Sequence, residues 1–214
     1  MDEKLTVTRT IGLACNKVIL MIVRGLALSK IHPNVLTFLG LLINVGAAWL
    51  LAVGQFRWAG AVIIGAGLFD MVDGRVARET NRVTRFGGFF DSVLDRYSDL
   101  FLLIGLLVWY GSIGRFSYVV LTAVAMIACV MVSYVRARAE NTIPMCKVGF
   151  MERPERVVLM IIGALFDRIP QVLWVIAILG NLTVIHRMIF TWQETQRLED
   201  AQLRAGKSIR TTAK

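Results

Sequence analysis

Apolar residues run almost unbroken through three stretches of the chain, at about 35–54, 116–135 and 171–191. Each approaches the roughly 20 residues a helix needs to cross bilayer hydrocarbon, and all three are read as membrane spans. Two more apolar stretches meet charge at one end. Residues 58–72 stay apolar until Asp70, and 86–110 turn apolar only after Leu100. Residues 157–166 are short for a span and are open to a reading as a buried or re-entrant segment. Ahead of the first span, residues 5–30 interleave Leu, Ile, Val and Met with Arg9, Lys17, Arg24 and Lys30. That pattern predicts an amphipathic helix lying on a membrane surface, with a loosely ordered leader as the alternative. His32-Pro33-Asn34 ends it and starts the next helix. No cleavable signal peptide is expected, for want of a compact apolar core ending in small residues.

Charge turns this pattern into a topology. The chain is 56% hydrophobic yet carries a net charge of +9, and its mean hydropathy is +0.63. This combination predicts a membrane protein with basic flanks and argues against a nucleic-acid binder. Both termini are basic, which places both in the cytosol and requires an even number of crossings. With six, only Arg57, Arg115 and Arg168 fall on the far side. The expected fold is therefore an all-α integral membrane protein of six transmembrane helices, with the amphipathic juxtamembrane helix in front. Its parts are a surface helix (1–32), a six-helix transmembrane domain (33–192) and a polar cytosolic tail (193–214). The expected setting is the cell's inner (plasma) membrane, multi-pass. The three cysteines form no C-x2-C pair, so neither a zinc site nor a disulfide framework is indicated. Trp58, Trp109 and Trp192, near predicted span ends, read as interfacial anchors.

The polar edge carries the chemistry. From Asp70 to Asp95 the sequence reads D-x2-D-G-x2-A-R-x8-G-x3-D-x3-D. Asp70, Asp73 and Ala77 fall on one helical face, and Gly87, Asp91 and Asp95 on one face of the next. Carboxylates so close repel one another and cost several kcal/mol each to bury as ions, so they sit together best around a shared cation. Hard oxygen ligands select Mg²⁺ or Mn²⁺. Gly74 and Gly87 leave room for a polyphosphate to approach the backbone, and Arg78 offers it a guanidinium. The competing reading is a set of acidic turns salt-bridged to Arg75, Arg78, Arg82, Arg85 and Arg96.

This motif resembles the signature of the CDP-alcohol phosphotransferase (CDP-alcohol phosphatidyltransferase) family, with every fixed position present. The resemblance implies displacement of CMP from a CDP-linked lipid by attack of an alcohol on the β-phosphorus. It further implies that Asp70, Asp73 and Asp91 are metal ligands and that Asp95 both approaches the metals and acts as general base. Two ions would neutralise the diphosphate and align the nucleophile. Asp73, Gly74, Ala77, Arg78 and Gly87 are the candidates for holding the CDP-lipid.

A second cluster, S-Y-V-R-A-R-A-E from Ser133 to Glu140 followed by E-R-P-E-R from Glu152 to Arg156, resembles the phosphatidylinositol phosphate synthases of that family. The resemblance places the acceptor's phosphate on Arg136, Arg156 and Arg187; the competing reading is that Arg138, Arg153, Arg156 and Arg187 only obey the positive-inside rule and pair with Glu140, Glu152 and Glu155. Arg136 stands where Lys is familiar. Glycerol 3-phosphate would demand the same receptor, which would make the chain a phosphatidylglycerolphosphate synthase. Expected partners are CDP-diacylglycerol, a phosphorylated polyol and membrane lipids, with a homodimer admitted and no nucleic acid. An ion or proton transporter and a non-catalytic lipid-binding scaffold are the rivals from other classes. His32 and His186 read as satisfied interfacial histidines, and Asp99 as a support one turn beyond Asp95.

Overall fold

The computed structural model describes residues 33–79 and 84–212, and within them every regular element is an α-helix. In order these are α1 (Pro33–Ala52), α2 (Phe56–Glu79), α3 (Arg85–Ser112), α4 (Phe116–Ala139), α5 (Arg153–Leu165) and α6 (Ile169–Thr212). Three helices are long and apolar enough to cross a membrane, over Asn34–Ala52, Phe116–Ala139 and Ile169–Ala201. They coincide with the three apolar runs. The surface helix expected within residues 1–32 lies outside the described residues.

These helices are apolar inside and out. Leu51, Ile63, Leu106, Ala125, Leu173 and Ile176 form one buried core drawn from five helices. On the outer faces Trp49, Ile127, Trp174 and Leu182 are exposed, as are Trp58 and Trp192. A helix hydrophobic all round belongs in lipid or in a large core, and here the outer faces have no protein over them. With little hydrophobic force between helices in lipid, close packing of small residues has to hold them together. A Cβ added to Gly105 of α3 would come within 2.2 Å of the Ala48 carbonyl oxygen of α1, and one on Gly180 of α6 within 2.9 Å of the Ala128 Cβ of α4.

Helix α1 packs on both α2 and α3, α4 pairs with α6, and α5 joins the two groups through α2 and α6. The three short turns, after α1, α3 and α5, close in the same way. Gln55, Arg115 and Arg168 each donate a backbone N–H to the carbonyl five residues back, on Leu50, Tyr110 and Gly163. Just before each donor stands a residue with positive φ: Gly54 (78°), Gly114 (68°) and Asp167 (57°). This left-handed cap satisfies carbonyls that the helix end leaves open. Trp109 covers the first turn. Its indole lies where a side chain on Gly54 would sit and meets Phe56 edge-on at 5.6 Å.

The opposite end is built differently. Between α4 and α5 the chain runs irregularly through residues 140–152 and tucks Ile143, Cys146 and Met151 into the protein. Irregular backbone drawn into a protein must have its buried polar groups satisfied there. Arginines do this. Arg187 Nε donates to the Val148 carbonyl at 2.8 Å and Arg156 Nη1 to the Met151 carbonyl at 3.0 Å. Helix α6 runs unbroken for 44 residues, roughly 66 Å at 1.5 Å per residue, so no break marks residue 192.

Candidate active site

The irregular end of the bundle gathers the charged residues of the motif. Asp70 comes from the fifth turn of α2, and Asp91 and Asp95 from successive turns of one face of α3. Helix α3 starts where it does because Thr84 caps it, its hydroxyl accepting the Gly87 N–H at 2.9 Å. Gly87 has Thr84 Oγ1 and Asn34 Oδ1 within 3.0 and 3.3 Å of where a Cβ would stand. Asp70 leans on α1, where a Cβ on Gly40 would come within 2.9 Å of its Oδ1. Gly40 thus makes the recess that holds the carboxylate. Asp73, Gly74, Ala77 and Arg78 follow on the last turns of α2, and their side chains lie outside the described residues.

Between the two helices stands an arginine that the spacing argument did not single out. Arg153, the first residue of α5, donates from Nη2 to Asp70 Oδ2 at 2.7 Å and pairs through Nη1 with Asp95 Oδ1 at 2.9 Å. Its Nε is buried with no hydrogen-bond partner, the nearest carboxylate oxygen, Asp99 Oδ1, lying 3.9 Å away. The donor set offered by Asp70, Asp91 and Asp95 is oxygen only and fits a hard divalent cation. Among the described residues no three carboxylate, His or Cys side chains already converge as a metal cluster.

A cavity of about 440 Å³ opens beside Asp95. All three arginines expected to bind the acceptor line it, together with Arg96, Asp99, Glu152 and Arg153. Their settings differ. Arg136 is partly exposed and pairs with Glu140 at 3.1 Å and Glu152 at 2.8 Å. Arg156 is buried, and its Nε and Nη2 donate to Asp99 Oδ2 at 3.2 and 2.5 Å. Arg187 is 1% exposed, and besides Val148 it donates to the Val132 carbonyl at 2.7 Å and to Glu152 at 3.0 Å. One oxygen of Glu152 therefore draws Arg136 and Arg187 together. Asp99, expected as a support, orients Arg156. His186 is exposed on α6, and His32 lies outside the described residues.

What spacing could not single out is the work of Arg153, Glu152 and Gly40. The E-R-P-E-R run showed Glu152 and Arg153, but helix periodicity does not reveal which arginine of a pair three apart will face the aspartates.

The sequence profile of the CDP-alcohol phosphatidyltransferase family matches residues 30–195. The chain is 38% identical over 164 residues to the archaetidylinositol phosphate synthase of Methanothermobacter thermautotrophicus, covering 74% of this chain and 82% of that protein. To the phosphatidylinositol phosphate synthase of Mycobacterium tuberculosis H37Rv it is 34% identical over 182 residues, or 80% and 84% of the two chains. A crystal structure of the Mycobacterium tuberculosis phosphatidylinositol phosphate synthase with CDP-DAG bound superposes with a TM-score of 0.77 at 32% identity, over 82% of this chain and 94% of that one. A second, in complex with manganese and citrate, gives 0.73 at 32% identity, over 80% and 87%. With a match spanning most of its length and a shared fold, this chain belongs to the CDP-alcohol phosphatidyltransferase family of enzymes.

Proposed function

We propose that this protein is a phosphatidylinositol phosphate synthase, which transfers a phosphatidyl group from CDP-diacylglycerol to the hydroxyl of inositol phosphate and releases CMP. The observation that carries this reading is the adjacency of Asp95 to a cavity lined by Arg136, Arg156 and Arg187. A base beside a cavity lined by several guanidinium groups suits an acceptor with a hydroxyl at one end and a phosphate at the other. Its relatives named for inositol phosphate lipids favour inositol over glycerol 3-phosphate.

In this reading Asp70, Asp73, Asp91 and Asp95 hold two divalent ions, Mg²⁺ or Mn²⁺, and Asp73, Gly74, Ala77, Arg78 and Gly87 hold the CDP-lipid. When bound, the ions supply charge neutralisation on the diphosphate and lower the cost of the departing CMP. The protein's own contribution is placement. Asp95 takes the proton from the attacking hydroxyl, which requires it within hydrogen-bond reach of that oxygen. Arg136, Arg156 and Arg187 fix the acceptor's phosphate so that the hydroxyl meets the β-phosphorus, and guanidinium suits this because it offers paired donors in a fixed fork.

The chain crosses the membrane six times, with the site facing the cytosol. Supporting this, the three tight turns carry Arg57, Arg115 and Arg168 nearby, while the other described arginines of the bundle cluster at the site end. CMP release from the purified protein with CDP-diacylglycerol tests the proposal. Inositol phosphate should outcompete glycerol 3-phosphate, and free inositol and serine should fail because they carry no phosphate for the arginines to hold. Preferential use of glycerol 3-phosphate would keep the reaction and change the substrate. Efficient use of free inositol would remove the arginine receptor.

A further inference from the structure

Arg153 is the cation that the metal-site reading leaves without a task. Its guanidinium is split between two helices, one nitrogen on Asp70 of α2 and another on Asp95 of α3. Those two carboxylates are among the four expected to hold metal. The neighbouring Arg156 offers a contrast, because its Nε, Nη1 and Nη2 all find acceptors. Arg153 Nε is buried and has none. A buried donor left unpaired is costly, so this arrangement is held by the two carboxylates and is a poor resting place for the guanidinium otherwise.

We propose that Arg153 is a built-in counter-ion that holds Asp70 and Asp95 together before the divalent metal arrives and is displaced from them when it binds. The inference rests on the metal-centre reading above. Two facing carboxylates repel without a cation, and one guanidinium offsets that repulsion only in part. A divalent ion offsets it more fully, takes the same oxygens and repels the guanidinium. Arg153 also lines the 440 Å³ cavity, so its displacement requires side-chain rotation without movement of α5. The arrangement keeps the metal site assembled while empty and makes the ion compete for it.

The test uses the full chain in zwitterionic nanodiscs and Mn²⁺ alone. Mn²⁺ affinity is read by electron paramagnetic resonance, and melting temperature is read in EDTA and in saturating Mn²⁺. Arg153→Gln should bind Mn²⁺ about tenfold more tightly than the native protein, within the ordinary range of coupling between two ligands of one site. It should melt lower in EDTA, and the gap should close in Mn²⁺. Arg153→Lys, which keeps the charge but not the fork, should fall between the two and covers the case of a Gln variant that does not fold. A purely structural arginine would leave the melting gap equal with and without Mn²⁺, and that result, or Mn²⁺ affinity unchanged or weakened, overturns the proposal. Failure of the native protein to bind Mn²⁺ at all would instead take away the metal centre, and this inference with it.

Discussion

Asp95 is where base, metal site and acceptor cavity meet. It pairs with Arg153, follows Asp91 by one turn and lines the cavity. If it takes the hydroxyl proton, Asp95→Asn should lower the chemical step by about 10²–10⁴-fold while CDP-lipid binding changes much less. Single-turnover CMP release and a binding titration separate the two, and near-normal turnover would assign the base elsewhere. The arginines should not behave alike, and the structure explains why. Arg136 is partly exposed and bonds only to side chains, so Arg136→Ala should chiefly raise the acceptor's apparent KM and leave the melting temperature nearly unchanged. Arg187 is buried on two backbone carbonyls and Glu152. Arg187→Ala should therefore cost about 3 kcal/mol or more of stability in addition to its effect on the acceptor, because buried acceptors are left unmatched. A thermal scan beside the kinetics distinguishes these outcomes. Equal stability of the two variants would show that the Arg187 bonds do not hold the 140–152 segment.

Among the elements, what could be read in advance is what local periodicity dictates. Long apolar runs gave α1, α4 and α6, and the i, i+3, i+7 and i, i+4, i+8 spacing of the aspartates put them on one face each of α2 and α3. The short α5 was open to several readings because thirteen residues, roughly 20 Å, do not match a bilayer's hydrocarbon thickness. Its length makes sense only beside the irregular 140–152 segment, which fills the site end of the bundle above it. That segment is invisible to periodicity, since arginines from α5 and from α6, far along the chain, satisfy its carbonyls. Contacts such as Gly40 with Asp70, or Arg153 with Asp70, 83 residues apart, likewise depend on which helices become neighbours. Close approach of α1 and α3 offers a direct check. Gly105→Ala forces a methyl to 2.2 Å from the Ala48 carbonyl oxygen, a clash with backbone that a rotamer cannot relieve. It should destabilise the protein by about 1–3 kcal/mol, whereas Gly111→Ala, with nothing within 4 Å, should have little steric effect. Equal melting temperatures for the two variants would show that this crossing is looser than described.

At the scale of the whole molecule, the distribution of charge decides between an enzyme and a pathway for ions. A proton relay needs titratable or polar groups spaced through the membrane's depth. Here the sequence has no Asp or Glu between Asp99 and Glu140 or between Asp167 and Glu194. Two polar groups inside the helices are spent on their own backbones: Asn44 donates to the Gly40 carbonyl at 3.1 Å and Thr122 to that of Tyr118 at 2.7 Å. The carboxylates of the motif instead collect at one end, beside a cavity that opens there. Such a cluster can hold a diphosphate only if cations stand between like charges, for each carboxylate would otherwise repel the lipid's phosphates as well as its neighbours. Stripping divalent metal from the protein should therefore abolish CMP release, and adding back Mg²⁺ or Mn²⁺ should restore it. In sealed liposomes the same preparation should carry no proton or cation flux under an imposed gradient. Full turnover after rigorous chelation would mean that arginines alone neutralise the diphosphate, and the grouping of Asp70, Asp73, Asp91 and Asp95 would then need another cause.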